Sequence, residues 1–520
     1  MSTSVATAGG ALTAREPAGP LTGGKLLLAA LAIGLANFLV VLDTSIANVS
    51  VSTISGALGV SSTQGTWVIT SYAVAEAITV PLTGWLANRF GVQRVFLTCY
   101  LAFAALSVFC GLSGSLGMLV LGRVLLGFVG GPIMPLSQLL LLRVFPPEKA
   151  TLGTVLWAMT TLVGPIAGPI LGGIICDNMT WNDIFFLPAA VALLGGSLAW
   201  LVLKGQPDPR APATIDKVGF ALLVIWVSAF QIMLDEGRNL DWFAAAEIRW
   251  LAVIAAIGFA AFLIWETTEE NPVVDLRVFR HRGFAAAALT FAVGFGAFFA
   301  SIVVIPLWLQ QNMGYTATWS GISTGFMGVL AIICSPLVGG AVNRFDPRMI
   351  VSVGLLGLGA ISAWRMGFNQ DVTFWQMALP TLLTGPFMVM LFIPVTGIAM
   401  ASVEPREQAS AAGLSNFMRT MGGAIGTSLV QTSWTNSARF NQTELAGAMA
   451  NGQQAIDNFV SSGFSQNGAT SSLASIVEGQ SVMLATLDVF GAVALCFGVA
   501  ALLIWLAPKP QGPIDTSGGH

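Results

Sequence analysis

Charge is what this chain of 520 residues has least of. Only 9% of it is Asp, Glu, Lys or Arg, against about 25% in an ordinary soluble domain. A protein of this size without an ionic surface is not expected to stay dissolved. The net charge of −3 comes with no basic block, which argues against nucleic acid as a partner. Histidine is almost missing: His281 and His520 leave little material for a haem, a zinc site or a Ser-His pair. The five cysteines (Cys99, Cys110, Cys176, Cys334, Cys496) form no C-x-x-C pair and sit in or beside apolar runs, as small hydrophobes do. No metal and no organic cofactor is expected. No G-x-x-x-x-G-K-[ST] occurs, so ATP does not drive anything within this chain. The 58 glycines and 24 prolines show no three-residue period and lie inside apolar runs, where membrane helices tolerate them. Those runs are what the chain does have: 55% of its residues are hydrophobic and mean hydropathy is +0.78. It is an integral membrane protein in contact with a lipid bilayer.

A helix needs about 20 apolar residues to cross a bilayer. Fourteen such segments are expected, at 26–49, 66–86, 95–112, 118–142, 154–175, 184–203, 218–236, 249–266, 283–309, 320–342, 349–366, 374–400, 408–434 and 481–507. The first follows a 24-residue polar tail and is too long for a signal-peptide core, so it is expected to remain as a helix. Lys and Arg test the count independently. With the N-terminus inside, the inner tails and loops hold sixteen of them, among them Lys25, Arg89, Arg94, Arg143, Arg282, Arg344, Arg348 and Lys509. The outer side holds four: Arg238, Arg249, Arg365 and Arg439. That asymmetry places both termini in the cytoplasm. The connection 435–480 is polar and nearly free of Lys and Arg; it reads either as a tolerated insertion or as a docking surface for an outside partner.

The end of the second segment, Pro81-Leu82-Thr83-Gly84-Trp85-Leu86-Ala87-Asn88-Arg89-Phe90, recurs in the tenth as Pro336-Leu337-Val338-Gly339-Gly340-Ala341-Val342-Asn343-Arg344-Phe345. Six identities in register at an offset of 255 residues point to duplication. Parallel six-helix halves are a known transporter plan. The expected fold is therefore all-α: an N-terminal bundle over 26–203, two inserted helices within 204–282, a C-terminal bundle over 283–507, and cytoplasmic tails at 1–25 and 508–520.

A transporter without an ATPase couples to an ion gradient, which requires titratable groups inside the membrane. Five ionisable residues lie well within segments: Asp43, Glu76, Arg123, Arg419 and Asp488. Asp43 and Arg123 are each roughly 8–9 Å below the outer face at 1.5 Å per residue, so they can meet. They read as a proton-switched pair or as a structural one. Glu76, among Ala, Val and Ile, suits a proton site or a contact for a cationic substrate. Asp488 is a second proton-site candidate about 10 Å from the outer side. Arg419 is expected to face the cavity or a carbonyl cluster, without pairing to Asp488. Gly164, Gly168 and Gly172 share one helix face and permit close packing, while Pro165 and Pro169 permit a bend. Arg89 and Arg94, with Arg344 and Arg348, form matched inner clusters that anchor topology or latch an inner gate. Trp67, Tyr72, Met134, Trp157, Phe295, Phe299 and Met388 are candidates to line an adaptable apolar cavity.

Gly84-Trp85-Leu86-Ala87-Asn88-Arg89-Phe90-Gly91-Val92-Gln93-Arg94 and its second copy resemble the loop motif of the major facilitator superfamily. Gly164-Pro165-Ile166-Ala167-Gly168-Pro169-Ile170-Leu171-Gly172-Gly173 resembles its antiporter motif, and Leu42-Asp43-Thr44-Ser45-Ile46-Ala47-Asn48-Val49 the first-helix signature of its fourteen-helix drug:proton antiporter branch. The stretches 65–71, 131–138 and 414–417 are similar to the Gram-negative multidrug export permeases of that branch. Asn88 stands where the loop motif usually has Asp, and Ser50 and Ser52 where the first-helix signature usually has Ala and Pro. The resemblance implies a proton-driven exporter of hydrophobic or amphipathic drugs in a bacterial inner membrane, with a periplasmic adaptor and an outer-membrane channel. It also implies that Arg123 assists proton transfer and that Gly164–Gly173 seal a gate. Uptake by symport is the nearer alternative, opposed mainly by that glycine motif; a membrane enzyme or receptor is the more distant one.

Overall fold

Inside a bilayer no water bonds the backbone, so each N–H and C=O must pair within its own helix unless protein or a cavity covers it. The computed structural model describes all residues except 1–20, 147–148, 205, 207, 209, 211–215, 449–451 and 510–520. The expected tails, with Arg15 and His520, therefore lie almost wholly outside it. The described residues form helices and no strands. The first part contains α1 (Gly23–Leu58), α2 (Ser62–Gly65), α3 (Trp67–Thr79), α4 (Thr83–Phe90), α5 (Val92–Gly111), α6 (Leu116–Val144), α7 (Ala150–Asn178) and α8 (Asp183–Leu203). Next come α9 (Lys217–Glu236) and α10 (Ala246–Thr268). The last part contains α11 (Arg282–Gln311), α12 (Ala317–Val342), α13 (Pro347–Arg365), α14 (Phe374–Ala401), α15 (Gln408–Ala448), α16 (Gly452–Ser461) and α17 (Gln466–Leu503).

Among the described residues, 12 helices are long and apolar enough to cross a membrane. Two expected spans, 66–86 and 408–434, are not among them, for physical reasons. Pro81 lacks a backbone donor and splits the first into α3 and α4 through a tight turn, with Leu82 N–H on Thr79 and Thr83 N–H on Val80. The second lies within α15, whose Gly, Ser, Thr and Asn dilute its apolar character. The expected connection 435–480 is mostly helical: α15 runs on to Ala448 and α17 begins at Gln466. Trp434 Nε1 donates to Thr486 Oγ1 (2.9 Å) and ties the two helices together below this extension.

The duplication read from P-L-x-G-x-x-x-N-R-F extends to packing. Helix α1 packs on α6, α7 and α8, while α6 packs on α3 and α5, and α5 on α8. The same pattern recurs with α11 on α14, α15 and α17, α14 on α12 and α13, and α13 on α17. Contacts between the two sets also come in matched pairs: α7 with α12 answers α15 with α4, and α6 with α15 answers α14 with α7. Helices α9 and α10 stand outside the correspondence; they pair with each other, and α9 lies against α3 and α15.

The tightest approach is between α11 and α15. A Cβ at Gly422 would strike the Ala292 backbone, and one at Gly426 the Gly296 backbone. Neither obstacle is a flexible side chain, so Gly422→Val is expected to separate the helices at a cost of about 1–3 kcal/mol or more. A fall in the thermal midpoint of detergent-purified protein, absent for Gly447→Val on the open part of α15, checks this.

Candidate functional site

Asp43 and Arg123 meet. Arg123 Nη1 lies 2.6 Å from Asp43 Oδ2, and the two side chains are 0% and 1% exposed. Arg123 Nε donates to the Val68 carbonyl at 2.9 Å, its Cζ sits 4.3 Å from the centre of the Tyr72 ring, and the Phe185 ring lies at 5.9 Å. Its Nη2 and the Tyr72 hydroxyl are buried without hydrogen-bond partners. One arginine thereby holds α1, α3 and α6 together. A guanidinium stays protonated at any relevant pH, so the carboxyl is the side of this pair that can take up a proton.

The glycine stripe delivers α1 to this point. Gly164 packs on Val41, Gly168 on Ser45 and Gly172 on Ile46, so α7 covers the turns of α1 on either side of Asp43. Asn37 adds a polar tie one and a half turns away, donating to Trp157 O (3.1 Å), Thr160 Oγ1 (2.8 Å) and Thr161 Oγ1 (2.7 Å). Pro165 and Pro169 turn the other way, toward α11–α14, and Gly173 lies near Thr318 of α12.

Glu76 lies one turn from Tyr72 on α3, within electrostatic range of Arg419, Asp43 and Arg123. Arg419, on α15, donates to Asn416 Oδ1 (3.1 Å), touches Met134 Sδ, and lies 4.8 Å from the centre of the Phe295 ring. Asn416 Nδ2 donates to Gln138 Oε1 (3.1 Å), linking α15 to α6. Glu76 and Arg419 thus lie along the contact between the two helix sets, while Asp43 and Arg123 pair within the first set. The fifth, Asp488, is exposed on α17. Gln480 donates to Gln370 at 3.2 Å and Gly491 packs on Met366, so Asp488 is level with the end of α13, away from Glu76.

The apolar candidates divide. Tyr72, Met134 and Phe295 touch the two arginines; Trp157 is buried and donates to Met134 O (3.3 Å); Met388 is fully buried. Phe299 is half-buried, 4.5 Å from Phe295, and Trp67 is 38% exposed. Gln138 and Asn416 were missed as site residues because uncharged amides carry no depth signal. Both lie in the quoted stretches 131–138 and 414–417. Glu266 on α10 was missed too: it is 0% exposed and accepts from Val274 N–H at 3.2 Å.

At the end of the molecule carrying 88–94 and 344–348, Gly84 packs on Ser410 and Gly413 on the Val80 carbonyl, while Thr151 reaches Asn343 Oδ1 at 3.5 Å. These contacts cross between the helix sets. Asn88, Arg89 and Arg344 are exposed. Gly91, at φ +93°, closes α4 against the Asp208 carboxylate, which accepts from Gln93 N–H (3.2 Å) and Arg94 N–H (3.3 Å). Arg348 binds Asp346 through Nη2 (2.9 Å), donates to Ala507 O (3.0 Å) and lies 5.2 Å from the Trp505 ring, all within the second set. These hydrogen bonds hold the Asp346 carboxyl below the usual carboxylate range.

A twice-repeated helical scaffold with charged side chains buried where the repeats meet is the build of a membrane transporter rather than an enzyme. The chain belongs to the Major Facilitator Superfamily, whose family model matches residues 33–427. It is 39% identical over 505 residues to "Multidrug export protein EmrB" of Escherichia coli (strain K12), covering 96% of this chain and 99% of that one. It is 37% identical over 505 residues, with the same coverage, to "Fatty acid resistance protein FarB" of Neisseria gonorrhoeae. The fold matches the crystal structure of the human organic anion transporter MFSD10 (TETRAN) with a TM-score of 0.58 at 14% identity, covering 93% of this chain and 100% of that one.

Breaking the Asp43–Arg123 pair from one side strands a buried charge, whereas removing both does not. Asp43→Leu and Arg123→Met are each expected to cost about 3–5 kcal/mol, and the double variant less than either. Thermal midpoints in one detergent check the order. Because the Asp346 carboxyl is depressed, its contribution is present above the ordinary carboxylate range and lost as pH falls through its lowered value. Asp346→Ala should lower stability by about 1 kcal/mol at neutral pH, and its deficit against the native chain should shrink only below about pH 4.

Proposed function

We propose that the protein is a drug:proton antiporter of a bacterial inner membrane, with fourteen spans, both termini cytoplasmic, and alternating access between two six-helix bundles. The observation that carries this reading is the buried Asp43–Arg123 pair clamped beneath Gly164, Gly168 and Gly172. The likeness to multidrug export proteins adds multidrug export as the task. Coupling works as follows. Protonation of Asp43 removes the charge that holds Arg123, freeing a guanidinium beside Tyr72 to reorganise α1, α3 and α6. Glu76, within range of Arg419 on the other set, transmits the change across the interface and offers a carboxylate to cationic substrates. Asp488, exposed on α17, has a subsidiary part at most.

Access alternates because the interface is made of separable contacts. Gly84 on Ser410 and Thr151 on Asn343 close the cytoplasmic end, next to Asn88, Arg89, Gly91, Arg94, Arg344 and Arg348. The stretch Gly164–Gly173 seals α7 on α1 against ion leak, with Pro165 and Pro169 permitting the bend. No cofactor takes part; the proton gradient supplies the work. The helical extension between α15 and α17 serves as a docking site for a periplasmic adaptor leading to an outer-membrane channel.

In proteoliposomes loaded with a pH reporter, adding drug is expected to move protons through the native protein. Asp43→Asn should abolish that movement while leaving drug binding within about threefold, a change under 1 kcal/mol. Full proton-coupled efflux by Asp43→Asn would sink the assignment. Asn88→Asp should alter the transport rate without changing the coupling.

A further inference from the structure

A third buried arginine, Arg365, has no part in this mechanism. It closes α13, is 3% exposed, and lies on a cavity bounded by α7, α11, α12, α14 and α17. The sequence placed it on the outer side, at the end of the segment 349–366, and the structure buries it there. Among the described residues it enters no ion pair. Its Nη2 donates to Thr381 Oγ1 at 3.1 Å, a hydroxyl already committed as a donor to Met377 O at 2.9 Å. Its Nε is buried without a partner, and so is the Ser301 hydroxyl on the same cavity. Two unsatisfied polar atoms and one uncompensated charge therefore meet in a single space. The rest of the wall is chiefly apolar and includes Phe298, Ile302 and Met327.

A buried guanidinium without a counter-charge is costly, and its planar fork fits a carboxylate. We propose that this cavity binds the carboxylate head of an amphipathic organic monoanion. Arg365 supplies the charge, Ser301 a second donor, and Phe298, Ile302 and Met327 the bed for the first part of the apolar tail. Its volume of about 80 Å³ is that of two or three waters at about 30 Å³ each, enough for the carboxylate head. A cationic ligand is repelled by Arg365, and a zwitterion finds no carboxylate for its ammonium group. Pro165 and Pro169 form the α7 side of the cavity, so an occupant touches the helix that covers Asp43. This deepens the exporter reading and rests on it for what binding accomplishes.

The test uses the full chain in lipid nanodiscs at pH 7, with no gradient. Sodium decanoate, decanamide and decyltrimethylammonium are titrated in sodium gluconate while thermal midpoint and intrinsic tryptophan fluorescence are followed. Decanoate is expected to bind saturably and raise the midpoint, with the amide about tenfold weaker and the cation without effect, as expected for a charge-assisted contact. Arg365→Gln should weaken decanoate about tenfold or more and leave decanamide unchanged, with partial recovery in Arg365→Lys. Ser301→Ala, a milder change, gives the same ranking if Arg365→Gln does not fold. Equal binding of decanoate and decanamide, or Arg365→Gln and Ser301→Ala both binding decanoate as the native chain does, overturns the site. Stabilisation by sodium chloride equal to that by decanoate, and lost in Arg365→Gln, overturns the organic ligand. Because no gradient is present, failure here leaves proton coupling standing, and uncoupled Asp43 with intact decanoate binding does the reverse.

Discussion

Arg123 cannot shed its charge, and in the middle of a membrane protein it has nowhere to take it. Much of the first helix set is arranged around that constraint. Asp43 neutralises it, the Val68 carbonyl accepts its Nε proton, and Tyr72 presents a ring face. Each of those partners lies on a different helix from Arg123, so the charge fixes the mutual position of α1, α3 and α6. The glycines of α7 matter because the pair leaves no slack. A side chain at Gly168 would push Ser45 aside, and Asp43 with it. Small residues and a buried charge are here two halves of one packing solution.

Where the two helix sets meet, the chemistry is different. The contacts include a hydrogen bond between amides (Gln138 and Asn416), a long-range attraction (Glu76 and Arg419) and glycine-backed touches (Gly84 and Ser410), beside apolar packing of α7 on α12 (Gly339 on Val155, Gly321 on Pro169). Interfaces of this kind are closer in character to transient protein–protein contacts than to a core cut in half. Polar partners exchange readily with water or with a ligand's polar groups.

Much of the fold was legible in the sequence because a bilayer limits the choices. Hydropathy found the long helices, and six identities at 81–90 and 336–345 announced a repeat that the packing pattern carries through. Depth counting along α1 and α6 brought Asp43 to Arg123, since helical rise is fixed. For Asp488 the count began at residue 481, whereas α17 begins at Gln466 and leaves that residue exposed. Composition could not distinguish a polar loop from a polar helix pair beyond the membrane, so 435–480 was read as a connection. The burial of Arg365 was missed for a related reason. An arginine at the end of an apolar run looks like an interfacial anchor until neighbouring helices are seen to cover it. Arg419 was expected to face the cavity or a carbonyl cluster; its neighbours are a thioether, an amide and a ring.

Helix α15 is a single element of 41 residues that carries Ser410 at one end, Arg419 a few turns in, and a free polar extension at the other. From Ser410 to Ala448 it measures about 57 Å at 1.5 Å per residue, nearly twice a bilayer's apolar thickness. Such a rod is a lever with its fulcrum at one membrane face and its load beyond the other. A tilt of about five degrees at Ser410, too small to unpack a helix pair, carries Ala448 about 5 Å sideways. A shift of about 1 Å around Arg419 therefore emerges outside the membrane as a displacement large enough for another protein to feel.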